Sequence, residues 1–486
     1  MYLFLTNGIK LNKKPLRGIL YTSMKKEFKT IYKQWPQVAA VFVFLFYAIN
    51  RVWMYARYSA AGFGYDTGIY RHIIRGYFER LGDSTLPSFG FSSFSNSLRF
   101  LGTNTDDILF LWYILFGMLL CVVFYVVVKL YTKNNIISLI ALILFTTSIA
   151  QFEFFWWFYY RNLIGLFFVL LSFLFLYYRS YLLVLSLFII GTIHPLSLVP
   201  IGITLLIVFI YDKEKRKYLF ISGGVSLLSI FAFNFQEIVS YISLAMQKTL
   251  YVSDASKQSS AELTGQFISL DFYIRSAFLY IFFAFAGLIF YGKKYKEWSV
   301  FLIVNTILFA LGILFYRRFL IFFDVAAIFF AAIFLYYFLQ DTKQSKLLRV
   351  VAILFFALMF FQSGYHMVSK QPLVWSHEIS YIETIDSMVP EDAYLLTINS
   401  HYAPWVQGFT NRDVIAPGMF EYDEWVFEEW QDFWHGEDMD VRFDLLRRYD
   451  RDIFIFLGDR DMWYSDVLAR DSHFIRIKDY LWQVSL

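Results

Sequence analysis

Residues 107–130 read DILFLWYILFGMLLCVVFYVVVKL, with no charged side chain between Asp107 and Lys129. About 20 apolar residues in a row are what a helix needs to cross a bilayer. Similar runs recur along the chain, in which 58% of the residues are hydrophobic and the mean hydropathy is +0.51. A water-soluble fold could not bury this much apolar surface, so the sequence predicts an α-helical integral membrane protein.

About eleven membrane spans are predicted. They are 36–56, 107–130, 135–152, 162–178, 181–193, 196–211, 218–235, 273–291, 298–315, 319–338 and 347–367. The two shortest, 181–193 and 196–211, could instead form one long helix, which would give ten spans. We favour a hairpin that turns at Ile193, His194 and Pro195, because it keeps the basic cluster 213–217 on the cytoplasmic side.

Lysine and arginine collect in alternate loops, as they do in the cytoplasmic loops of membrane proteins. The basic segment 1–35 is therefore predicted to lie in the cytoplasm, ahead of a transmembrane domain at 36–369 in the cytoplasmic (plasma) membrane. Loops 57–106 and 236–272 and a C-terminal domain at 370–486 are predicted to project outward.

The C-terminal domain is strongly acidic, with 23 acidic and 9 basic residues from Ser376 to Leu486 and 16 acidic and 34 basic residues before it. An acidic surface repels phosphate, so nucleic acid is excluded as its partner. Strand-like runs at 394–398, 453–456 and 474–477 alternate with helical patterns at 374–388, 421–434 and 440–450. This alternation predicts a small α/β domain, which the single cysteine, Cys121, leaves without internal disulfides.

The first outward loop contains Tyr65 and Asp66, followed by a helical pattern with one apolar face and with Arg71 and Arg75 on the other. We expect this helix to lie in the membrane interface with its arginines toward lipid headgroups. Asp66 has two interpretations: an N-cap of the helix, which Asp favours, or a catalytic carboxylate.

A pair of arginines, Arg317 and Arg318, interrupts apolar sequence at the outward end of a span. Outward arginines are unusual, and the planar guanidinium suits a phosphate, although snorkelling to the interface is an equal alternative. Asp324 follows inside an apolar run, where a carboxylate is costly and usually faces protein or a cavity.

Other polar residues form a second tier of candidates. Glu153 and Arg161 flank an aromatic run at the outward surface, His194 stands at the predicted hairpin, and Asp271 and Arg275 stand where loop 236–272 returns to the membrane. Each also has an ordinary structural interpretation, such as interfacial anchoring or satisfaction of backbone groups freed by Pro195.

The chain resembles the multispanning glycosyltransferases of the GT-C fold, which use sugars linked to polyprenyl phosphate. The resemblance is carried by Tyr65-Asp66, by Arg317-Arg318-Phe319-Leu320 through Asp324-Val325-Ala326-Ala327, and by the stretch from Trp405 to Arg412. It implies an essential acidic residue in the first outward loop, here Asp66, and transfer with inversion. The paired acidic signature of several members is absent because Thr67 follows Asp66.

The resulting hypothesis is an enzyme that moves a sugar from a polyprenyl-phosphate donor to an acceptor hydroxyl of a glycan, lipid or protein. Asp66 would act as the base, Arg317, Arg318, Arg71 and Arg75 would hold the donor phosphate, and Trp405 and Arg412 would face the acceptor. No metal site is predicted, and a divalent cation is left open. The alternatives are a flippase or carrier of lipid-linked saccharides and a polysaccharide polymerase or ligase.

Overall fold

The computed structural model describes residues 13–59, 63–76, 89–233, 270–311, 319–341, 346–398, 401–417, 424–436 and 438–485. A helical bundle precedes a small mixed domain, called the tail below, which begins at residue 370. The bundle and its loops contain α1 Lys13–Tyr58, α2 Asp66–Gly76, α3 Phe89–Ser97, α4 Trp112–Thr132, α5 Asn135–Thr147, α6 Ile149–Trp156, α7 Tyr160–Tyr178, α8 Leu182–Ile193, α9 Pro195–Tyr211, α10 Arg216–Phe233, α11 Leu270–Tyr291, α12 Lys296–Ala310, α13 Leu320–Asp341 and α14 Lys346–Ser369.

Seven helical segments within the described ranges are long and apolar enough to cross a membrane. They are Gln34–Tyr58, Asp107–Thr132, Tyr160–Tyr178, Arg216–Phe233, Leu270–Tyr291, Leu320–Gln340 and Val350–Ser369. The pair α5 and α6, bent by 49°, makes an eighth if it is one broken span. The prediction of a helical membrane protein is confirmed, whereas the other three predicted spans, α8, α9 and α12, are helical but shorter.

The bend between α5 and α6 has a local cause at Ser148. This residue has an extended backbone and ends α5, while its hydroxyl accepts a hydrogen bond from the Gln151 amide as the N-cap of α6 (3.2 Å). Serine is a favoured N-cap because its side chain replaces a missing backbone acceptor. The apolar run therefore forms two helices rather than one.

The chain reverses direction at His194, as the predicted hairpin requires. Arg161 Nε, in the first turn of α7, donates to the carbonyl of Ile193 at the end of α8 (2.9 Å), so α8 runs antiparallel to α7. α9 then returns along α7, because Glu214 just beyond α9 pairs with Arg179 just beyond α7 (2.7 Å). The stretch 181–211 is a helical hairpin and not one long helix.

The loops after α4, α7, α9 and α11 meet at one end of the bundle, called the basic end below. Lys215 Nζ lies 2.6 Å from a carboxylate oxygen of Glu297, which joins the loop after α9 to the start of α12. The ring of Tyr131 contacts the rings of Tyr177 and Trp298. The bundle thus gathers these predicted cytoplasmic loops on one side, while the side chains of the further basic loop 343–349 lie outside the described residues.

The opposite end of the bundle carries α2, the hairpin turn at His194 and the tail. The Tyr58 hydroxyl at the end of α1 donates to the carbonyl of Lys370 (3.2 Å), and the Gly64 amide donates to the carbonyl of Trp156 at the end of α6 (2.7 Å). The first loop and the tail therefore share one end of the bundle, called the tail end below.

The tail is a five-stranded sheet with helices on both faces, and its strand order is β2-β1-β3-β5-β4. Its elements are α15 Ser376–Ile382, β1 Tyr394–Thr397, α16 Ala403–Phe409, β2 Asp413–Ile415, α17 Phe427–His435, α18 Met439–Leu446, β3 Ile453–Phe456, α19 Ser465–Leu468, β4 Phe474–Lys478 and β5 Leu481–Val484. β1 is parallel to β2 and to β3, and β5 is antiparallel to β3 and to β4. The predicted α/β tail is confirmed in its three predicted strands, and the structure adds β2 and β5.

Both faces of the tail sheet are covered. Tyr394 and Leu396 of β1 point into one apolar cluster with Ile455, whereas Leu395 points into a second with Phe454. Alternate residues of a strand face opposite sides of its sheet, so a strand that is buried on both faces must be apolar throughout. The runs Tyr394 to Leu396 and Ile453 to Phe456 meet this requirement, and only the last residue of β1, Thr397, is polar.

Candidate functional site

Asp66 is the first residue of α2 and only 9% of its surface is exposed. The turn before it is fixed by Gly64, whose carbonyl accepts from both the amide and the hydroxyl of Thr67 (3.1 and 2.7 Å). A Cβ at Gly64 would lie 2.6 Å from Cα of Trp157, so only glycine fits this approach to the bundle. The carboxylate therefore stands at a helix N-terminus, where the helix dipole favours negative charge, with half-buried Tyr65 beside it.

One face of α2 packs on the bundle. The Tyr70 ring contacts the rings of Phe91, Phe158 and Tyr160, with centroids 5.2 to 6.2 Å apart. The predicted helix and its apolar face are thus confirmed as far as residue 76, and Ile74 on this face is fully buried.

The other face of α2 contacts the tail. Arg71 donates to the Gly408 carbonyl (2.6 Å) and pairs with Asp106 (2.9 Å), while Arg75 donates to the same carbonyl (3.2 Å) and to the Asn411 side chain. The expectation that these arginines face lipid headgroups is wrong, because α16 covers them. That they hold a phosphate stays a prediction.

Arg317 and Arg318, the main predicted phosphate ligands, lie outside the described residues, so their distance from Asp66 stays untested. The structure resumes at Phe319, which is buried at the start of α13. The predicted convergence of Asp66 with the arginine pair therefore stays a prediction.

Asp324 is fully buried in α13 and accepts four hydrogen bonds. Oδ2 accepts from Ser148 Oγ (3.0 Å) and Gln151 Nε2 (2.8 Å), and Oδ1 accepts from the hydroxyls of Tyr273 (3.0 Å) and Tyr280 (2.5 Å). All four donors are uncharged, and they come from the α5–α6 bend and from α11. Four hydrogen bonds use the acceptor capacity of a carboxylate, so Asp324 ties three helical elements together.

Glu153 of α6 lies in a second buried polar cluster, at the tail end. Its carboxylate contacts both the His366 ring and the Lys370 ammonium, which stand where α14 leads into the tail. Its side chain is 4% exposed, and a buried carboxylate is stable only when it is paired. Sequence reasoning missed His366 and Lys370; a basic pair at the end of a predicted span was the available signal.

Arg51 is a buried charge that sequence reasoning also missed. It is 2% exposed within the first span, and its guanidinium lies 4.5 to 5.1 Å from the ring centres of Tyr47, Phe152 and Phe155. Cation–π contacts stabilise a desolvated guanidinium by roughly 2 kcal/mol. A charge inside an apolar run was the signal, because such residues in membrane spans are usually functional.

His194 and Arg161 hold the hairpin between α8 and α9. His194 Nδ1 lies 2.6 Å from Ser197 Oγ in the first turn of α9, and its backbone amide donates to the Ile190 carbonyl (2.9 Å). With the Arg161 bond to Ile193, these contacts hold the backbone of the turn before Pro195. They account for both residues structurally, and a catalytic role for either stays a prediction.

The remaining predicted residues lie on the surface of α11 and in the tail. Asp271 and Arg275 form an exposed ion pair one turn apart (2.7 Å). Trp405 is completely buried and stacks on Phe409, while Arg412 donates to the Val389 carbonyl (2.8 Å) and pairs with an aspartate of the tail. A contact of Trp405 or Arg412 with an acceptor stays a prediction.

One group in the described part of the chain has three side chains placed to hold a metal ion: His377, Glu378 and Asp459. His377 Nε2 lies 2.9 Å from Asp459, but Glu378 already accepts from the Trp375 amide (2.7 Å), the Tyr402 hydroxyl (2.7 Å) and the Asp459 amide (2.9 Å). These bonds account for Glu378 as a cap of α15, so the donor set fits a metal poorly. Near Asp66, no such group occurs within the described ranges.

Next to this cluster, His401 follows β1 and is largely buried. Its Nε2 lies 3.2 Å from the carbonyl of Leu373, in the segment that links α14 to α15. Burial, and then the charge of Arg460, lowers the pKa of His401 to about 4. The side chain is therefore neutral near pH 7 and joins the linker to the sheet.

The fold and these clusters define a helical membrane protein whose first loop, with Asp66, is held between the bundle and an α/β tail. No family model matches the chain, and no curated protein matches it significantly.

Proposed function

We propose that this protein is a membrane glycosyltransferase, similar to the GT-C enzymes, that transfers a sugar from a polyprenyl-phosphate donor to an acceptor hydroxyl. The observation that carries the proposal is the location of Asp66. It is a buried carboxylate at a helix N-terminus, held between the bundle and the tail. This position lies at the end of the bundle opposite the basic loops, where the proposal places the lipid-linked donor and the polar acceptor.

The orientation in the membrane is part of this proposal. We assign eleven spans by counting α8, α9, α12 and the bent α5–α6 pair as crossings, with the N-terminus in the cytoplasm and the tail outside. The grouping of the basic loops at one end supports this orientation, because cytoplasmic loops are enriched in lysine and arginine. The donor sugar would then be used on the extracytoplasmic face.

In the reaction, the bond between the anomeric carbon of the sugar and the lipid phosphate breaks while the acceptor oxygen bonds to that carbon. Asp66 removes the proton of the acceptor hydroxyl, and the phosphate leaves as an anion. Arg317 and Arg318 are assigned to hold it, since preorganised cations stabilise the developing charge. The donor phosphate is not assigned to Arg71 and Arg75, because they bond to the tail and, for Arg71, to Asp106.

The test is to incubate the purified full-length protein with a panel of polyprenyl-phosphate sugars and acceptors and to measure release of the lipid phosphate. Parallel reactions with a chelator address the divalent cation. The Asp66→Asn and Arg318→Ala variants are expected to lose transfer, whereas Asp271→Asn serves as a matched control on an exposed aspartate. Transfer that persists in Asp66→Asn would overturn the assignment of the base.

A carrier of lipid-linked saccharides is the second candidate, and the bend at Ser148 favours it. Transporters often bind their substrates where membrane helices are interrupted, and Asp324 lies at this interruption. Movement of a labelled lipid-linked sugar across vesicles that contain the protein, without release of lipid phosphate, would support the carrier over the enzyme.

A further inference from the structure

We propose that the tail positions Asp66: α16 holds α2, and with it the carboxylate, in the geometry that sugar transfer requires. This inference rests on the proposed function of Asp66. It assigns Gly68, Arg71, Arg75 and Gly408 as positioning residues that act through α2 and do not touch substrate.

The first step of the argument is the close crossing of α2 and α16. Gly68 lies two residues after Asp66, and a Cβ placed on it would be 1.7 Å from the carbonyl oxygen of Pro404. A Cβ on Gly408 would be 2.4 Å from the carbonyl oxygen of Gly68. The two backbones are therefore in direct contact, and neither glycine can carry a side chain unless the helices separate.

The second step is the hydrogen bonding that fixes this crossing. Arg71 and Arg75 both donate to the carbonyl of Gly408, in the last turn of α16. The last carbonyls of a helix lack partners within the helix and carry partial negative charge, so two guanidinium groups are well matched to them. Arg71 also lies over the Phe409 ring, 4.4 Å from its centre.

The third step is that these contacts continue into the tail. The side-chain oxygen of Asn411 accepts from Arg75. Asn411 also donates to the Asp386 carboxylate through its backbone N–H (3.0 Å) and through its side-chain Nδ2 (2.9 Å). Asp386 in turn pairs with Arg412 (3.3 Å). A shift of the tail is thus transmitted to α2 through side chains that are already bonded to one another.

The opposite face of α2 rests on the bundle through Tyr70 and through the Gly64 amide. α2 is therefore held from both sides, and the position of Asp66 depends on the tail remaining docked. Displacing a catalytic group by about 1 Å costs roughly 10²-fold in rate.

The first experiment compares Gly408→Ala with Gly364→Ala in the full-length protein. A Cβ on Gly364 would meet nothing within 4 Å, so this control adds the same methyl group without a clash. Gly408→Ala is expected to lower kcat by about 10²-fold with little change in the donor KM, because the base and not the donor site is displaced. Equal activity of the two variants would overturn the proposal.

The second experiment separates docking from chemistry. Cysteines introduced by Arg75→Cys and Asn411→Cys remove the hydrogen bonds of Arg75 to Gly408 and to Asn411 and that of the Asn411 side chain to Asp386. They also allow a short bis-maleimide to join α2 to the tail, while native Cys121 is buried. The double variant is expected to lose at least about tenfold in transfer before cross-linking, because both charge-assisted hydrogen bonds of Arg75 are lost while Arg71 still holds Gly408, and to regain most of it afterwards. Gain of activity on re-joining the helices is not expected from a purely structural defect.

The outcomes are distinguishable from failure of the proposed function. Failure of the cross-link to form would show that α2 and α16 are not in contact and would overturn the positioning proposal. Efficient cross-linking without any effect on transfer would overturn positioning and leave the enzyme proposal intact. If the unmodified protein transfers no sugar from any donor, the enzyme proposal fails, and the positioning proposal that rests on it fails too. The cross-link still measures whether α2 contacts the tail.

Discussion

Two buried aspartates of the bundle lie in very different surroundings. Asp324 is enclosed by α13, α11 and the α5–α6 bend and accepts from four uncharged donors. Asp66 stands at the tail end, at the start of a helix that contacts both the bundle and the tail. The carboxylate of Asp324 is thus fully used in holding helices together, whereas that of Asp66 stands at a junction of three parts of the molecule and is the base of the proposed reaction.

The largest expected effect is on the rate of transfer when Asp66 is changed. Asp66→Asn keeps a side-chain oxygen for the helix N-terminus but removes the base, so we expect transfer to fall by about 10²- to 10⁴-fold with little change in unfolding temperature. Lipid-phosphate release and a thermal unfolding scan measure the two effects. A parallel loss of rate and stability would identify Asp66 as a structural cap, so that both aspartates would have structural roles.

The reverse pattern is expected at Asp324. Asp324→Leu leaves the hydroxyls of Tyr273 and Tyr280 and the donors of Ser148 and Gln151 without their acceptor, which we expect to lower the free energy of unfolding by about 3–5 kcal/mol. The unfolding midpoint in detergent or lipid measures this loss. Asp324→Asn should lose less because one acceptor oxygen remains.

A different result at Asp324 would decide between the two candidate functions. If folded Asp324→Asn retains stability but abolishes movement of a lipid-linked sugar across vesicles, the aspartate is part of a transport path, and the carrier becomes the better proposal. If transfer activity survives in the folded variant, Asp324 holds the helices together and the enzyme proposal stands.

Apolar length and charge bias were sufficient to predict the helical bundle, the hairpin at His194 and the grouping of most basic loops, because both signals are local in sequence. Strands β1, β3 and β4 were also predictable from their apolar runs. β2 is only three residues long, and β5 follows the polar residues Asp479 and Tyr480, so neither gives a clear pattern. Both form because they pair with strands that are distant in sequence.

The candidate site was only partly predictable for the same reason. Asp66 and its helix follow from local sequence, but the contact of Arg71 and Arg75 with Gly408 joins residues more than 330 positions apart. The partners of Asp324 are likewise far from it in sequence. A charged residue in an apolar run signals a buried site, but the sequence does not identify its partners.

Acidification is expected to lower the stability of the tail, because the tail buries a neutral histidine, His401. The pKa of His401 is about 4 in the folded tail, below the ordinary value of about 6.5, so the unfolded tail binds more protons between these pH values. The stability of the tail should therefore fall by up to about 3 kcal/mol as the pH drops from 6.5 to 4. The contribution of neutral His401 to this stability is fully present above pH 6.5. Proteolysis of the tail as a function of pH measures this.

His401→Gln is the control for the pH experiment, because it keeps a hydrogen-bond donor but cannot titrate. Its tail should show a flatter pH dependence, since the other histidines of the tail, His377, His435 and His473, are present in both proteins. If the tail of the unmodified protein is as stable at pH 4.5 as at pH 7, the burial of neutral His401 does not make the tail sensitive to acid.

The smallest effect is expected at the exposed pair of Asp271 and Arg275, which lies on the surface of α11. Exposed pairs one helical turn apart contribute about 0.3–0.5 kcal/mol, so Arg275→Ala should change the unfolding temperature and the rate of transfer very little. Because the side chain is solvent-exposed, a large loss of transfer without loss of stability could arise only from lost contact with a ligand or partner. That result would extend the active region from Asp66 to α11. It would also show that the comparison of Asp324 with Asp66 omits part of the site.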